Sequence, residues 1–132
     1  MKTKTSELIG PALDWAVAKS EGERYGPPTF RVHQNSKGAT VYLNTGMQQS
    51  GIPYRPSTGW PQGGPIIERE KLCIGYQHQL DPEYVPLLDP ATICWARTTA
   101  GGYLKYGPTL LTAAMRCYVA SKLGDEVDVP KE

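Results

Sequence analysis

The sequence predicts an α+β fold: a small antiparallel sheet of about five strands, covered by an N-terminal and a C-terminal helix. Three observations lead there. Helical periodicity is confined to the two ends of the chain. The middle shows period-two alternation or short apolar runs. The 132 residues include 12 Pro and 14 Gly, which suits short elements joined by ordered turns. Helices flanking a run of strands pack against a shared sheet face. The length fits one domain, 1–132, with 124–132 as a loose acidic tail.

The first helix is read over "PALDWAVAKSEG", 11–22. Pro11 suits a first helical position, where its missing N–H would have no partner. Ala12, Leu13, Ala16 and Val17 recur at helical spacing, and Gly22 is a C-terminal stop. "TSELIG" before it is a turn or short strand. The last helix is read over 108–124, from Pro108 to Gly124. Leu111, Ala114, Met115, Tyr118, Val119 and Leu123 form its apolar stripe, with Arg116 and Lys122 off it.

Strands are expected at 29–34, 39–44, 65–76, 92–97 and 102–106. "QNSKG" and "TTAGG" read as hairpin turns. Val127 and Val129 offer a short edge strand as the alternative to a loose tail. The stretch 44–64 lacks periodicity but carries Tyr54, Arg55 and Trp60. Loops of that length in compact domains tend to be functional, and its aromatic content speaks for an ordered one. A second loop, 78–90, is expected to pack down as well.

Net charge is +1, from 14 basic and 13 acidic residues, a balance that speaks against nucleic acid as the main partner. Cys73, Cys94 and Cys117 are odd in number and widely spaced, so reduced thiols are expected rather than disulfides or zinc. His33 and His78 have no companion at ligand spacing, and neither a metal nor a cofactor is expected. The apolar runs are too short to cross a bilayer, and the N-terminus has no secretory h-region. A cytoplasmic protein is the expectation.

Catalytic signals are weak. No GxSxG elbow and no phosphate-loop motif occur. Glu68 and Glu70, two apart on the expected 65–76 strand, would share a wet face; a hydrolytic pair is the sharper alternative. Binding signals are stronger. "PYRPSTGWPQGG" gathers Tyr54, Arg55, Ser57, Thr58, Trp60 and Gln62 into one Pro/Gly-stiffened loop. Trp60 or Tyr54 would stack a base or sugar, Arg55 would take phosphate, and Ser57, Thr58 and Gln62 would fix orientation. Tyr106 leads into a helix start with the Thr109 hydroxyl, a generic anion site. The plain alternative is that Trp60 and Tyr54 plug the core.

Three blocks, "ALDWAVAKSEG", "YRPSTGWPQGGPIIERE" and "GPTLLTAAMRCYVASKLGDEVDVP", resemble the NinX-like family of small tailed-phage and prophage proteins. They stand in family order and span nearly the whole chain. In the family pattern an acidic residue precedes the Trp and Ala follows it; here Gly59 and Pro61 flank Trp60. The resemblance implies a phage accessory protein in the cytoplasm of an infected bacterium, and it brings no catalytic residue set. Phage proteins of similar size include sponges for nucleotide signals of bacterial immunity. The leading expectation is a non-enzymatic, homo-oligomeric binder of a small nucleotide-like ligand. A protein-interaction module and an enzyme degrading such a nucleotide are the alternatives.

Overall fold

A computed structural model of the chain describes residues 2–21, 30–35, 38–43, 52–76, 93–99 and 102–129, the strands between 30 and 53 by their backbone. The described elements run β1 (Lys2–Lys4), a 3-10 turn (Thr5–Glu7), α1 (Gly10–Ser20), β2 (Phe30–Asn35), β3 (Gly38–Leu43), β4 (Ile52–Tyr54), α2 (Trp60–Glu70), β5 (Cys73–Tyr76), β6 (Cys94–Arg97), β7 (Leu104–Gly107), α3 (Leu110–Leu123) and β8 (Glu126–Asp128). The α+β class holds. The strands form three antiparallel sheets, β1-β8, β2-β3-β4 and β5-β6-β7, in place of one.

Helix α3 is the centre of the packing. Every residue from Leu111 to Ala120 is buried, the pattern of a helix covered on all sides. It packs against α1, α2 and the β5-β6-β7 sheet. Arg116 therefore does not lie off an apolar stripe: it is 8% exposed, and its guanidinium serves backbone carbonyls. Leu13, Val17, Ile66, Met115, Tyr118 and Val119 belong to the shared core. Thr109 caps α3, its hydroxyl accepting the Thr112 N–H at 3.1 Å.

The expected strand at 65–76 is corrected in its first half. Residues 60–70 are helical, and only 73–76 form a strand. The helix forms against its own propensities: Gly63 and Gly64 are poor helix formers, and Pro65 removes an internal hydrogen bond. Packing overrides this. Ile66 is 3% exposed, and Gly63 lets α2 approach so closely that a Cβ there would lie 2.4 Å from the Pro56 carbonyl oxygen and 2.6 Å from Leu111. The helix ends at Lys71 in the left-handed region, where the Leu72 N–H reaches the Ile67 carbonyl. Glu68 and Glu70 consequently do not share a strand face. Two residues apart on a helix they point in different directions; Glu68 is exposed, while Glu70 pairs with Arg69 and Lys122.

Beside α1, "TSELIG" forms a 3-10 turn, not a strand. The chain's two ends meet: Lys2 pairs with Asp128 and Thr3 with buried Val127. Of the two readings of the tail, the edge strand describes residues 126–128. The 78–90 loop and residues 44–51 of the long loop lie outside the described residues.

Near the C-terminal ends of the three helices, Glu21 at the end of α1, Arg69 at the end of α2 and Tyr118 on α3 come together. Arg69 Nη2 pairs with Glu21 Oε1 and lies 3.2 Å from the Tyr118 hydroxyl. The Tyr118 hydroxyl donates to Glu21 Oε1 at 2.5 Å. Burial and the adjacent Glu21 carboxylate push the Tyr118 phenol well above its ordinary pKa. Burial opposes ionisation of Glu70, but hydrogen bonds from Arg69 and Lys122 prevail and hold its carboxyl below the usual range. Cations in the last turns of α2 and α3 also complement the negative helix ends.

Candidate functional site: a cleft at three helix N-termini

The opposite ends of the helices meet at a cleft of about 490 Å3, within the size range of small-molecule sites. Ile9 and Gly10 at the start of α1, Trp60 at the start of α2, and Thr109 to Thr112 at the start of α3 all line it. Ser57, Thr58, Tyr76, Cys94 and Pro108 complete the wall. Among the described lining residues none carries a charged side chain. None of the three helices has an acidic residue in its first turn, and α1 and α2 lack a side-chain cap. Each N-terminus carries roughly half an elementary charge of positive potential, although Pro11 and Pro61 contribute no N–H and the Thr112 N–H is taken by the Thr109 cap. No carboxylate among the described lining residues offsets those partial charges.

Local sequence explains how the walls are held. The turn before α2 is closed by Thr58 and Gly59 N–H groups donating to the Arg55 carbonyl. The Gln62 side chain accepts the Arg55 N–H at 2.6 Å, so the helix reaches back to fasten its own entry. Asp14 of α1 accepts the Ser57 N–H at 2.9 Å. Burial pushes the Asp14 carboxyl above its usual pKa, with the Ser57 hydrogen bonding and the Arg55 charge acting against that rise. Ser57 is 1% exposed, and its hydroxyl makes no hydrogen bond of good geometry among the described residues.

On the α3 side, Gly107 packs tightly on the first turn: a Cβ there would meet the Ala113 nitrogen at 2.8 Å. Arg116, one turn past the lining residues, donates through Nε to the Leu8 carbonyl at 2.7 Å and through Nη1 to the Tyr106 carbonyl at 2.8 Å. Burial lowers its pKa from the ordinary arginine value. The Cys94 thiol in the wall is raised by burial, which keeps it protonated and a poor nucleophile.

The sequence-proposed residues separate into two groups. Ser57, Thr58, Trp60 and Thr109, drawn from two distant segments, come together on the cleft. Trp60 is 50% exposed, so it belongs to the cleft and not to the core. Tyr54, Arg55, Gln62 and Tyr106 lie outside the lining. Tyr54 is 2% exposed and sits in the core cluster, where a ring cannot stack on a ligand. Arg55 is exposed beside the turn. Gln62 is occupied by the Arg55 amide. Tyr106 stands on β7 opposite Trp95 of β6. The Thr109 hydroxyl is engaged within its own cap, 3.0 Å from Thr112 Oγ1, so the anion-binding capacity at this helix start lies in the remaining amides.

Sequence reasoning missed Tyr76 and the Ile9–Gly10 entry to α1. Tyr76 is 50% exposed and ends β5, where nothing local distinguishes it from an ordinary strand aromatic. Gly10 adopts φ +60°, a conformation suited to glycine that turns the chain into α1. Among the described residues no helix is long and apolar enough to cross a membrane.

No curated protein matches the chain. The family model described as "Bacteriophage P22, NinX" matches residues 4–122, a span that includes every lining residue of the cleft. The chain belongs to this NinX family of phage proteins.

Proposed function

We propose that the protein binds a small anionic, nucleotide-like ligand in this cleft and acts by sequestering it. The observation that carries this reading is the convergence of three helix N-termini with two half-exposed aromatics, Trp60 and Tyr76, on one cavity. Helix N-termini suit phosphate or carboxylate groups. Aromatic faces suit a base, at about 1–3 kcal/mol per stacked ring. A nucleotide carries both groups on one small frame. Thr58 offers an exposed hydroxyl at the rim for orientation.

Sequestration is favoured over turnover by the composition of the wall. Its described residues include no carboxylate, imidazole or amine to act as general base. A phage setting gives such a binder a use in the cytoplasm of an infected bacterium, where removing a signalling nucleotide of host immunity protects the phage.

Titration calorimetry of the purified protein against cyclic dinucleotides and ADP-ribose derivatives tests the reading. Stoichiometric binding at micromolar concentrations is expected, with the ligand recovered intact after heat release. Absence of binding across the panel would overturn it; a stable protein partner from infected cells that needs Trp60 would point to an interaction module instead.

A further inference from the structure

Arg116 occupies an unusual position for a buried cation. It is 8% exposed on the central helix, and the described ion pairs involve Arg69, Lys105 and Lys122, not Arg116. Buried charges are ordinarily paired. Here the guanidinium meets two backbone carbonyls, those of Leu8 and Tyr106. Leu8 leads directly into Ile9 and Gly10. Tyr106 leads through Gly107 and Pro108 to Thr109. One side chain thus ties together the two backbone segments that deliver the α1 and α3 N-termini to the cleft. It lies one helical turn, about 6 Å of rise, behind Thr112.

Two carbonyls can be satisfied by a neutral donor. The positive charge gains a role when an anion occupies the cleft, because few ions screen a charge held inside the protein. Its field adds to the positive ends of the helices at the same place.

We propose that Arg116 is the positioning and charge-selecting residue of the cleft. It clamps the α1 and α3 entries in register, and it makes the cavity prefer anionic occupants over neutral ones of the same shape. This rests on the ligand reading above, and the probes are chosen to separate the two.

The experiment measures binding of AMP, adenosine and inorganic pyrophosphate to the wild type, Arg116→Lys and Arg116→Gln, with thermal melts to establish folding. AMP and pyrophosphate binding should weaken about tenfold or more in R116Q, the size of a lost charge at this range. Adenosine binding should weaken much less, by the clamp's share alone, and R116K should keep the anion preference. A purely structural clamp would weaken AMP and adenosine alike, and that result overturns the proposal. If R116Q does not fold, R116K decides: wild-type preference for AMP over adenosine supports the role of the charge, and loss of that preference in a folded protein overturns it. Pyrophosphate binding without AMP or adenosine binding keeps the role of Arg116 and removes the nucleotide reading. AMP binding that R116Q leaves intact does the reverse. Binding of none of the three by the wild type removes both.

Discussion

The Asp14 carboxylate accepts the backbone N–H of Ser57 at 2.9 Å, across 43 residues of chain. A buried acid in the middle of α1 thereby fixes the turn that starts α2, and with it one wall of the cleft. The relationship has a pH signature. Burial raises the folded-state pKa of Asp14, so the native state binds the proton more tightly than the unfolded chain does. The resulting stability is complete below the unfolded carboxylate pKa and is lost as pH rises through the raised value. Asp14→Asn keeps an acceptor and removes the charge. It should melt at or above the wild-type temperature at pH 7, and that advantage should shrink as pH falls toward 4. Melting curves across this range check it; an advantage that grows on acidification contradicts the assignment.

Trp60 stands half-exposed at the first position of α2. Trp60→Ala should change stability within roughly 0.5 kcal/mol, as substitutions at exposed positions do. Ligand affinity should fall by about 1–3 kcal/mol, the worth of one stacked ring. Denaturant unfolding and calorimetry on the same preparation separate the two effects. A large loss of stability would return Trp60 to the core.

The two neighbouring glycines of α2 should respond in opposite directions. A Cβ at Gly63 meets backbone at Pro56 and the Leu111 side chain, whereas one at Gly64 meets only the Trp60 ring at 3.7 Å. Gly63→Ala should destabilise by about 1–3 kcal/mol through overpacking. Gly64→Ala should stabilise by up to about 1 kcal/mol through helix propensity. Urea midpoints of the two variants provide the comparison, and equal shifts would refute the packing described for α2.

Arg69 supplies a counter-charge to Glu21, which is 4% exposed. Arg69→Ala should cost about 1.5–3 kcal/mol, because it removes the charge-assisted hydrogen bonds that Arg69 gives the Glu21 carboxylate. Tyr118→Phe, which removes the 2.5 Å bond to Glu21, should cost about 1.5–3 kcal/mol, the range for bonds to charged groups. A double-mutant cycle should show the two losses to be non-additive, since both residues meet the same carboxylate.

Part of the cleft's lining was legible in the sequence. Trp60, Ser57, Thr58 and Thr109 stood out as aromatic and hydroxyl residues in a stiffened loop or at a helix start, and they line one cleft. Tyr54 and Gln62 stood out for the same reasons but lie outside the cleft lining, because residue type does not state which way a side chain faces. Tyr76 gave no signal, since its place in the lining depends on the tertiary packing that brings the α3 entry to the same cleft.

The sequence by itself determined the α+β class, both terminal helices, and the β6 and β7 strands to within a few residues. These follow from periodicity and from local hydrogen bonding, which act over a few residues. Only the tertiary structure decided α2. Two glycines and Pro65 cost a helix there roughly 5 kcal/mol in intrinsic propensity, so the local signal read as loop and strand. Contacts distant in sequence reverse it: Ile66 in the core, Gly63 against Pro56 and Leu111, and Arg69 against Glu21. The cleft depends on the same long-range packing, because three helix starts separated along the chain come to line one cavity only when α1 and α2 pack against α3.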